Sequence, residues 1–257
     1  MEKIVVTEPI DGIVELKLNR SNKYNAIEFE MMDELKKSLE ELKVRSDLKG
    51  LVITGEGEKA FCSGGDIEIF HQLKTQEESY QMLSKMGDIL YELMVFPIPT
   101  FALINGLALG GGCEIATACD FRVAKQGVSV GFIQGKLAIT TGWGGATMLL
   151  EKLRYDQAMS LLCSGNKMLV EEAESLGFIH KIINNENDFY TAAYKHIQAS
   201  LIDHPNVLRS YKAIKVNQWK QAELHKRMVN EIHNCSVLWG LDEHHQAVEN
   251  FINRKGN

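Results

Sequence analysis

Three glycine-rich segments carry the residue types and spacing that could do chemistry: Ala60-Phe61-Cys62-Ser63-Gly64-Gly65-Asp66-Ile67, then Ile104-Asn105-Gly106-Leu107-Ala108-Leu109-Gly110-Gly111-Gly112-Cys113-Glu114, then Thr141-Gly142-Trp143-Gly144-Gly145. In each, glycines follow an apolar stretch and precede a helical one. Such a junction exposes free N–H groups at a helix start and lets a ligand approach the backbone closely, which suits a developing oxyanion. One glycine cluster alone is more often a tight turn. None of the three is a Walker A loop, because no Lys-Ser or Lys-Thr follows, and Gly110-Gly111-Gly112 lacks the G-x-G-x-x-G spacing of a dinucleotide fold. Glu114 falls on the first turn of the helix expected to begin near Gly111. It either complements the helix dipole or turns its carboxylate toward the oxyanion as an acid/base.

The elements that must position these segments follow from periodicity. Residues 3 to 19 read as a hairpin that turns between Pro9 and Gly12, and a helix follows at about 28 to 43, with Met32, Leu35, Leu39 and Leu42 on one face. Leu51 to Gly55 and Thr100 to Ile104 read as short buried strands. Strands alternating with helices, with glycine turns where strands end, indicate an α/β class with parallel pairing. After about residue 142 helical periodicity dominates, broken only by a strand-like Phe178 to Ile183, and Pro205 opens one helix as a first-turn proline.

Composition bounds the function. A chain of 257 residues with 45% apolar content can bury one large core. The five cysteines contain no C-x-x-C pair and read as reduced thiols, which suggests the cytoplasm. No segment approaches the roughly 20 apolar residues of a membrane span, and the N-terminus runs into a strand pattern without a signal-peptide core, so a soluble, untargeted protein is expected. A net charge of −6 without a basic run argues against nucleic acid as a partner. Asp242-Glu243-His244-His245 looks like a metal cluster, yet adjacent histidines on a helix point apart, so a solvated stripe is expected there and no metal site.

Taken together, Leu18-Asn19-Arg20 with Asn25-Ala26, Phe61 to Ile67, Asn105-Gly106 with Gly110 to Glu114, and Cys119-Asp120 closely resemble the enoyl-CoA hydratase/isomerase, or crotonase, family in order and spacing. The resemblance implies a spiral of ββα turns with a C-terminal helical region: a core at 1–200, a helical trimerisation region at 201–257, and a homotrimer or dimer of trimers. It implies that the N–H groups of Gly65 and Gly111 form an oxyanion hole for a thioester carbonyl. Lys23 to Ala26 and Ser63, Gly65, Asp66, Ile67 and Glu68 would lie against coenzyme A, which is part of the substrate, so that no separate cofactor is needed. Phe251 and Lys255 would reach a neighbour's coenzyme A.

By the same resemblance Glu114 stands where the hydratases carry one catalytic glutamate. Their second glutamate falls, by an ungapped count from Gly144-Gly145, on Gln134. No other Asp, Glu or His lies between Asp120 and Glu151. An amide cannot exchange a proton as a carboxyl does, although it can orient water. A second acid would have to come from elsewhere, such as His71, which otherwise reads as a solvated helix-surface residue. The leading expectation is hydration or double-bond isomerisation of an enoyl-CoA with Glu114 moving the proton. Decarboxylation of a branched malonyl-CoA is the alternative, supported by Gln134 and by Trp143-Gly144-Gly145, which is similar to ethylmalonyl-CoA decarboxylases of the same superfamily. A non-catalytic acyl-CoA binder is the third possibility.

Overall fold

The computed structural model describes residues 2–184 and 188–255, with the side chains of 254 and 255 excepted, so the expectation for Lys255 lies outside the described residues. The chain opens with the expected hairpin, β1 (Ile4–Ile10) and β2 (Ile13–Leu18), followed by α1 (Phe29–Lys43). Three turns of a spiral follow. The first is β3 (Gly50–Gly55), β4 (Ala60–Cys62), α2 (Ile67–Phe70) and α3 (Gln76–Met94). The second is β5 (Thr100–Ile104), β6 (Leu107–Leu109) and α4 (Gly111–Ala118). The third is β7 (Phe121–Lys125), β8 (Ser129–Gly131) and, after a 3-10 turn at Gln134–Leu137, α5 (Gly145–Lys152). Then come α6 (Tyr155–Ser164), β9 (Met168–Leu169), α7 (Val170–Ser175), β10 (Lys181–Ile183), α8 (Phe189–Ala199), α9 (Pro205–Gln221), α10 (Leu224–Trp239) and α11 (Asp242–Lys255).

The first strand of each turn joins a six-stranded sheet, ordered β1-β2-β3-β5-β7-β10 and parallel beyond the hairpin. The second strand of each joins a four-stranded sheet, ordered β4-β6-β8-β9. The α/β class, the parallel pairing and the helical C-terminal part are therefore as the sequence indicates.

Alternation explains why the central strands are apolar throughout. Leu51 and Ile53 of β3, with Ala102 and Ile104 of β5, face the main core, whereas Val52, Phe101 and Leu103 face a second cluster closed by Phe189, Ala193 and Ile197 of α8. A parallel sheet covered on both faces demands this pattern. The predicted face of α1 is buried, with Met32, Leu35, Leu39 and Leu42 all in the main core. Sequence analysis did not single out α3, which opens on a Thr75/Glu78 capping box and packs along α10. The strand expected over Phe178 to Ile183 shrinks to its last three residues. Phe178 and Ile179 instead bury their side chains in the main core while their N–H groups bond to Ala173 O.

The C-terminal helices share the main core through Trp219, Met228, Ile232 and Trp239. Pro205 occupies the first turn of α9. That helix is pinned by Lys212, whose Nζ donates to the Asp120 carboxylate, which in turn accepts from the Thr100 N–H at 2.9 Å. Among the described residues no helix is long and apolar enough to cross a membrane. Lys212→Met should cost about 3 kcal/mol of stability, because it strands Asp120 near the ends of β5 and β7. Urea unfolding measures this, and a loss below about 1 kcal/mol would mean that water takes over the lysine's role.

Candidate active site

Both segments that carry the candidate oxyanion glycines leave the four-stranded sheet, Gly65 after β4 and Gly111 after β6. The segment after β4 is fixed by a short ladder in which Ile27 N–H donates to Gly64 O (2.8 Å) and Asp66 N–H donates to Ile27 O (2.9 Å). Between those bonds Gly64 adopts φ +102, a left-handed conformation that favours glycine, and Gly65 is left with its N–H outside the ladder. Gly64 lies against the start of α4, so close that a Cβ on it would stand 3.1 Å from the Gly111 nitrogen. Neither the Gly65 nor the Gly111 N–H donates to a protein acceptor among the described residues. Both glycines line one cavity of about 110 Å³, with Glu114, Gln134, Trp143, His71 and His244 also on its wall.

Trp143 closes the cavity over the two glycines. A Cβ on Gly111 would meet its ring at 2.1 Å, so only glycine permits this approach. The remaining wall is apolar, with Phe70, Leu83, Leu137 and Trp239 among its residues.

Glu114 is 2% exposed and its carboxylate is fully engaged. Oε1 accepts from Gln134 Nε2 at 2.9 Å and from Gly142 N–H at 3.3 Å. Oε2 accepts from the N–H groups of Trp143 and Gly145, both at 2.9 Å. A carboxylate has about four lone-pair directions, and four donors fill them. Gln134, which the ungapped count assigns to the position of the second glutamate, is in direct hydrogen-bond contact with Glu114 rather than separated from it by space for a substrate. The other oxygen of Gln134, Oε1, is buried without a protein partner. Burial, and then the nearby Glu231 carboxylate, push the Glu114 carboxyl up to about 7 against the Trp143, Gly145 and Gln134 donors that favour its charge.

Sequence reasoning missed Glu231. It projects from α10 onto the start of α5, accepting from the N–H groups of Ala146 (3.0 Å) and Thr147 (2.7 Å) and from the Thr141 hydroxyl. Its signal was present: an acid on the stripe formed by Leu224, Met228, Ile232 and Cys235, all of which are buried. His244 corrects the reading of residues 242–245 as a solvated stripe, because it is 1% exposed, tucked beneath Trp239 with ring centroids 4.5 Å apart. His71 is half-buried on the cavity wall rather than fully solvated, with Nδ1 2.9 Å from Ile67 O.

The residues expected to meet coenzyme A come together in one hydrogen-bonded cluster, of which Ser63, Gly65 and Ile67 line the cavity. Asp66 caps α2 by accepting from Glu68 N–H and is gripped by Arg20 Nη1 at 2.6 Å, which also reaches Ala26 O. Lys23 pairs with Glu68 across the two segments at 2.6 Å, Ile67 opens α2, and Ser63 N–H donates to Tyr24 O. Arg20, quoted above only for its place in the resemblance, is the clamp between the two segments.

The spiral and this glycine-framed cavity define a crotonase-type protein, and the chain belongs to the enoyl-CoA hydratase/isomerase family, whose sequence profile matches residues 8–256. Among similar proteins, the ethylmalonyl-CoA decarboxylase of Xenopus tropicalis is 31% identical over 231 residues, covering 90% of this chain and 77% of the relative. That of Bos taurus is 32% identical over 239 residues, covering 92% and 78%. The mitochondrial methylglutaconyl-CoA hydratase of Mus musculus is 32% identical over 216 residues, covering 83% and 68%. The crystal structure of an enoyl-CoA hydratase from Bacillus halodurans shares the fold, with a TM-score of 0.86 at 22% identity, covering 96% of this chain and 99% of that one.

The electrostatic coupling of the two buried acids is open to measurement. Glu231→Gln removes a negative neighbour that raises the Glu114 pKa, so the Glu114 carboxyl should titrate at lower pH than its parent midpoint near 7. Carbon-13 NMR of labelled glutamate carboxyls follows this directly, and an unmoved midpoint would assign the elevation to burial alone.

Proposed function

We propose that this chain decarboxylates a short branched malonyl-CoA, of which ethylmalonyl-CoA is the type, through a thioester enolate held by the Gly65 and Gly111 N–H groups. The observation that carries the reading is the saturation of Glu114. With donors from Gln134, Gly142, Trp143 and Gly145 on its two oxygens, it has no lone pair left for a substrate proton or an attacking water. Hydration calls for such a base, and Gln134 does not replace it. Loss of CO₂ needs no base, because the breaking C–C bond delivers its electron pair into the thioester, where the charge collects on the carbonyl oxygen.

Two pre-aimed N–H donors, one at a helix start, stabilise that oxygen without reorganising, and one such donor is worth about 3 to 4 kcal/mol. Glu114 then has a positioning role, holding the Gly142 to Gly145 loop and with it Trp143 over the hole. A cavity of this size with a mostly apolar wall suits a short branched acyl group rather than a long chain. The apolar wall strips water from the leaving carboxylate and from the enolate. The named decarboxylase relatives point the same way. Coenzyme A would run out between Lys23 to Ala26 and Ser63 to Glu68.

One observation favours hydration as a second reading. The unpartnered Gln134 Oε1 would accept a hydrogen bond from an attacking water, and the similarity to a methylglutaconyl-CoA hydratase agrees with it.

Mass spectrometry of ethylmalonyl-, methylmalonyl- and crotonyl-CoA incubated with the enzyme separates the readings. Butyryl-CoA formation from ethylmalonyl-CoA with negligible water addition to crotonyl-CoA is expected, and the reverse preference would overturn the proposal. Glu114→Gln should lower kcat less than tenfold while costing about 1 to 3 kcal/mol of stability, since one oxygen facing N–H donors becomes an amide. A fall of about 10² to 10⁴ in a folded variant would return Glu114 to the role of base. Gly65→Pro, which deletes one donor, should depress turnover of every substrate by about 10² or more once circular dichroism has shown parent-like folding.

A further inference from the structure

With Glu114 saturated and Gln134 an amide, the enolate still needs a proton at its α-carbon. Decarboxylation consumes one proton overall, and isomerisation or exchange moves one. Among the cavity walls two imidazoles remain, His71 and His244.

We propose that His244, carried into the cavity by α11, is the catalytic residue that gives and takes the proton at the substrate's α-carbon. The proposal rests on the reading that this cavity forms an acyl-thioester enolate, and not on which reaction generates the enolate.

Geometry selects His244 over His71. Its Nδ1 lies 2.7 Å from Leu137 O. A carbonyl only accepts, so Nδ1 carries the hydrogen, and in the neutral ring the lone pair falls on Nε2. Nε2 has no protein partner among the described residues, and the ring forms part of the cavity wall at 1% exposure. The ring is held on its other side by Trp239, whose indole N–H is itself anchored on Leu73 O at 2.8 Å. This is the arrangement of an oriented acid/base: one nitrogen fixed by a main-chain acceptor, the other without a protein partner among the described residues, on a ring that lines the cavity. His71 makes the same kind of Nδ1 contact, to Ile67 O at 2.9 Å, but it is half-buried and has no aromatic ring packed on it among the described residues, so burial and the Trp239 packing are what single out His244.

The proton inventory closes. Burial, with the neighbouring His245 and Lys74 charges, holds the His244 pKa below the ordinary imidazole value against the pull of the Leu137 carbonyl, so the free site holds a neutral ring. A malonyl-type carboxylate entering the same cavity favours the imidazolium, and one proton is taken up from solvent with it. The C–C bond breaks, CO₂ departs and its electron pair becomes the enolate. The Nε2–H bond then breaks, its proton bonds to the α-carbon, and neutral His244 remains with a saturated acyl-CoA product. Run backwards from that product, the Nε2 lone pair removes an α-proton.

The backward step is the test, because it requires no CO₂. Butyryl-CoA incubated with enzyme in D₂O should acquire deuterium at the α-carbon, as followed by mass spectrometry. His244→Asn keeps an N–H for Leu137 O but removes Nε2, and it should slow exchange by about 10² or more. His244→Gln, the second variant should the first fail to fold, should do the same. In the parent, deuterium from ethylmalonyl-CoA should enter one face of butyryl-CoA, whereas in the variants it should enter both. Exchange retained within threefold in a folded His244 variant, loss in His71→Asn instead, or no exchange by the parent would overturn the proposal. If the parent leaves ethylmalonyl-CoA intact and yet loses butyryl-CoA exchange on substitution of His244, the decarboxylase reading fails and the role of His244 stands.

Discussion

The rest of the site depends on one buried carboxylate. Glu114 sits on the first turn of α4, and its Oε2 accepts from the first residue of α5, so the positive ends of two helices converge on one negative charge. The far ends are tied as well. Lys152, the last residue of α5, donates through Nζ to the carbonyls of Thr117, Ala118 and Cys119 at the end of α4. Buried Arg122 donates to Ala116 O and Cys119 O at the same place. The two helices thus run side by side in the same sense, with acidic side chains at their starts and basic side chains at their ends. Without those partners the orphan N–H and C=O groups of two short buried helices would each carry a desolvation cost.

This arrangement converts a fold feature into a chemical one. Because Glu114 holds the loop from Gly142 to Gly145, Trp143 lies where it covers Gly111, and the same α4 start offers its N–H to the cavity. The dipole at the α4 start therefore acts on the Glu114 carboxylate and, on the proposed reading, on the substrate oxygen as well. A group so completely engaged is well suited to fixing geometry and poorly suited to moving protons. Glu231 adds a second acid at the start of α5, and its proximity makes the charge on Glu114 sensitive to the docking of α10.

The C-terminal helices are consequently part of the site. Trp219, Met228, Ile232 and Trp239 join the main core, and Trp239, His244 and Val248 line the cavity. On the proposed reading the spiral supplies backbone donors, where side-chain identity matters little beyond glycine. The helical region supplies side chains to the cavity wall, where identity sets its shape and chemistry.

What the sequence determined by itself was the part governed by local rules. Periodicity located the hairpin, α1 and the central strands, and glycine placement marked the segments that bring Gly65 and Gly111 to the cavity, because an apolar run ending in glycine at a helix start has few backbone solutions. The order and spacing of those segments carried the family, and an ungapped count set Gln134 at the position of the family's second glutamate, whereas its contact with Glu114 came from the tertiary structure. The sequence left α3 unassigned and could not say that Glu114 would have every lone pair filled, since its donors come from residues 20 to 31 positions away in the chain. Glu231 and His244 were legible only as polar residues on helical stripes. Whether such a residue faces water or a cavity depends on how α10 and α11 dock against α3 and the Gln134–Leu137 turn, a long-range choice that burial of apolar area makes and local propensity does not.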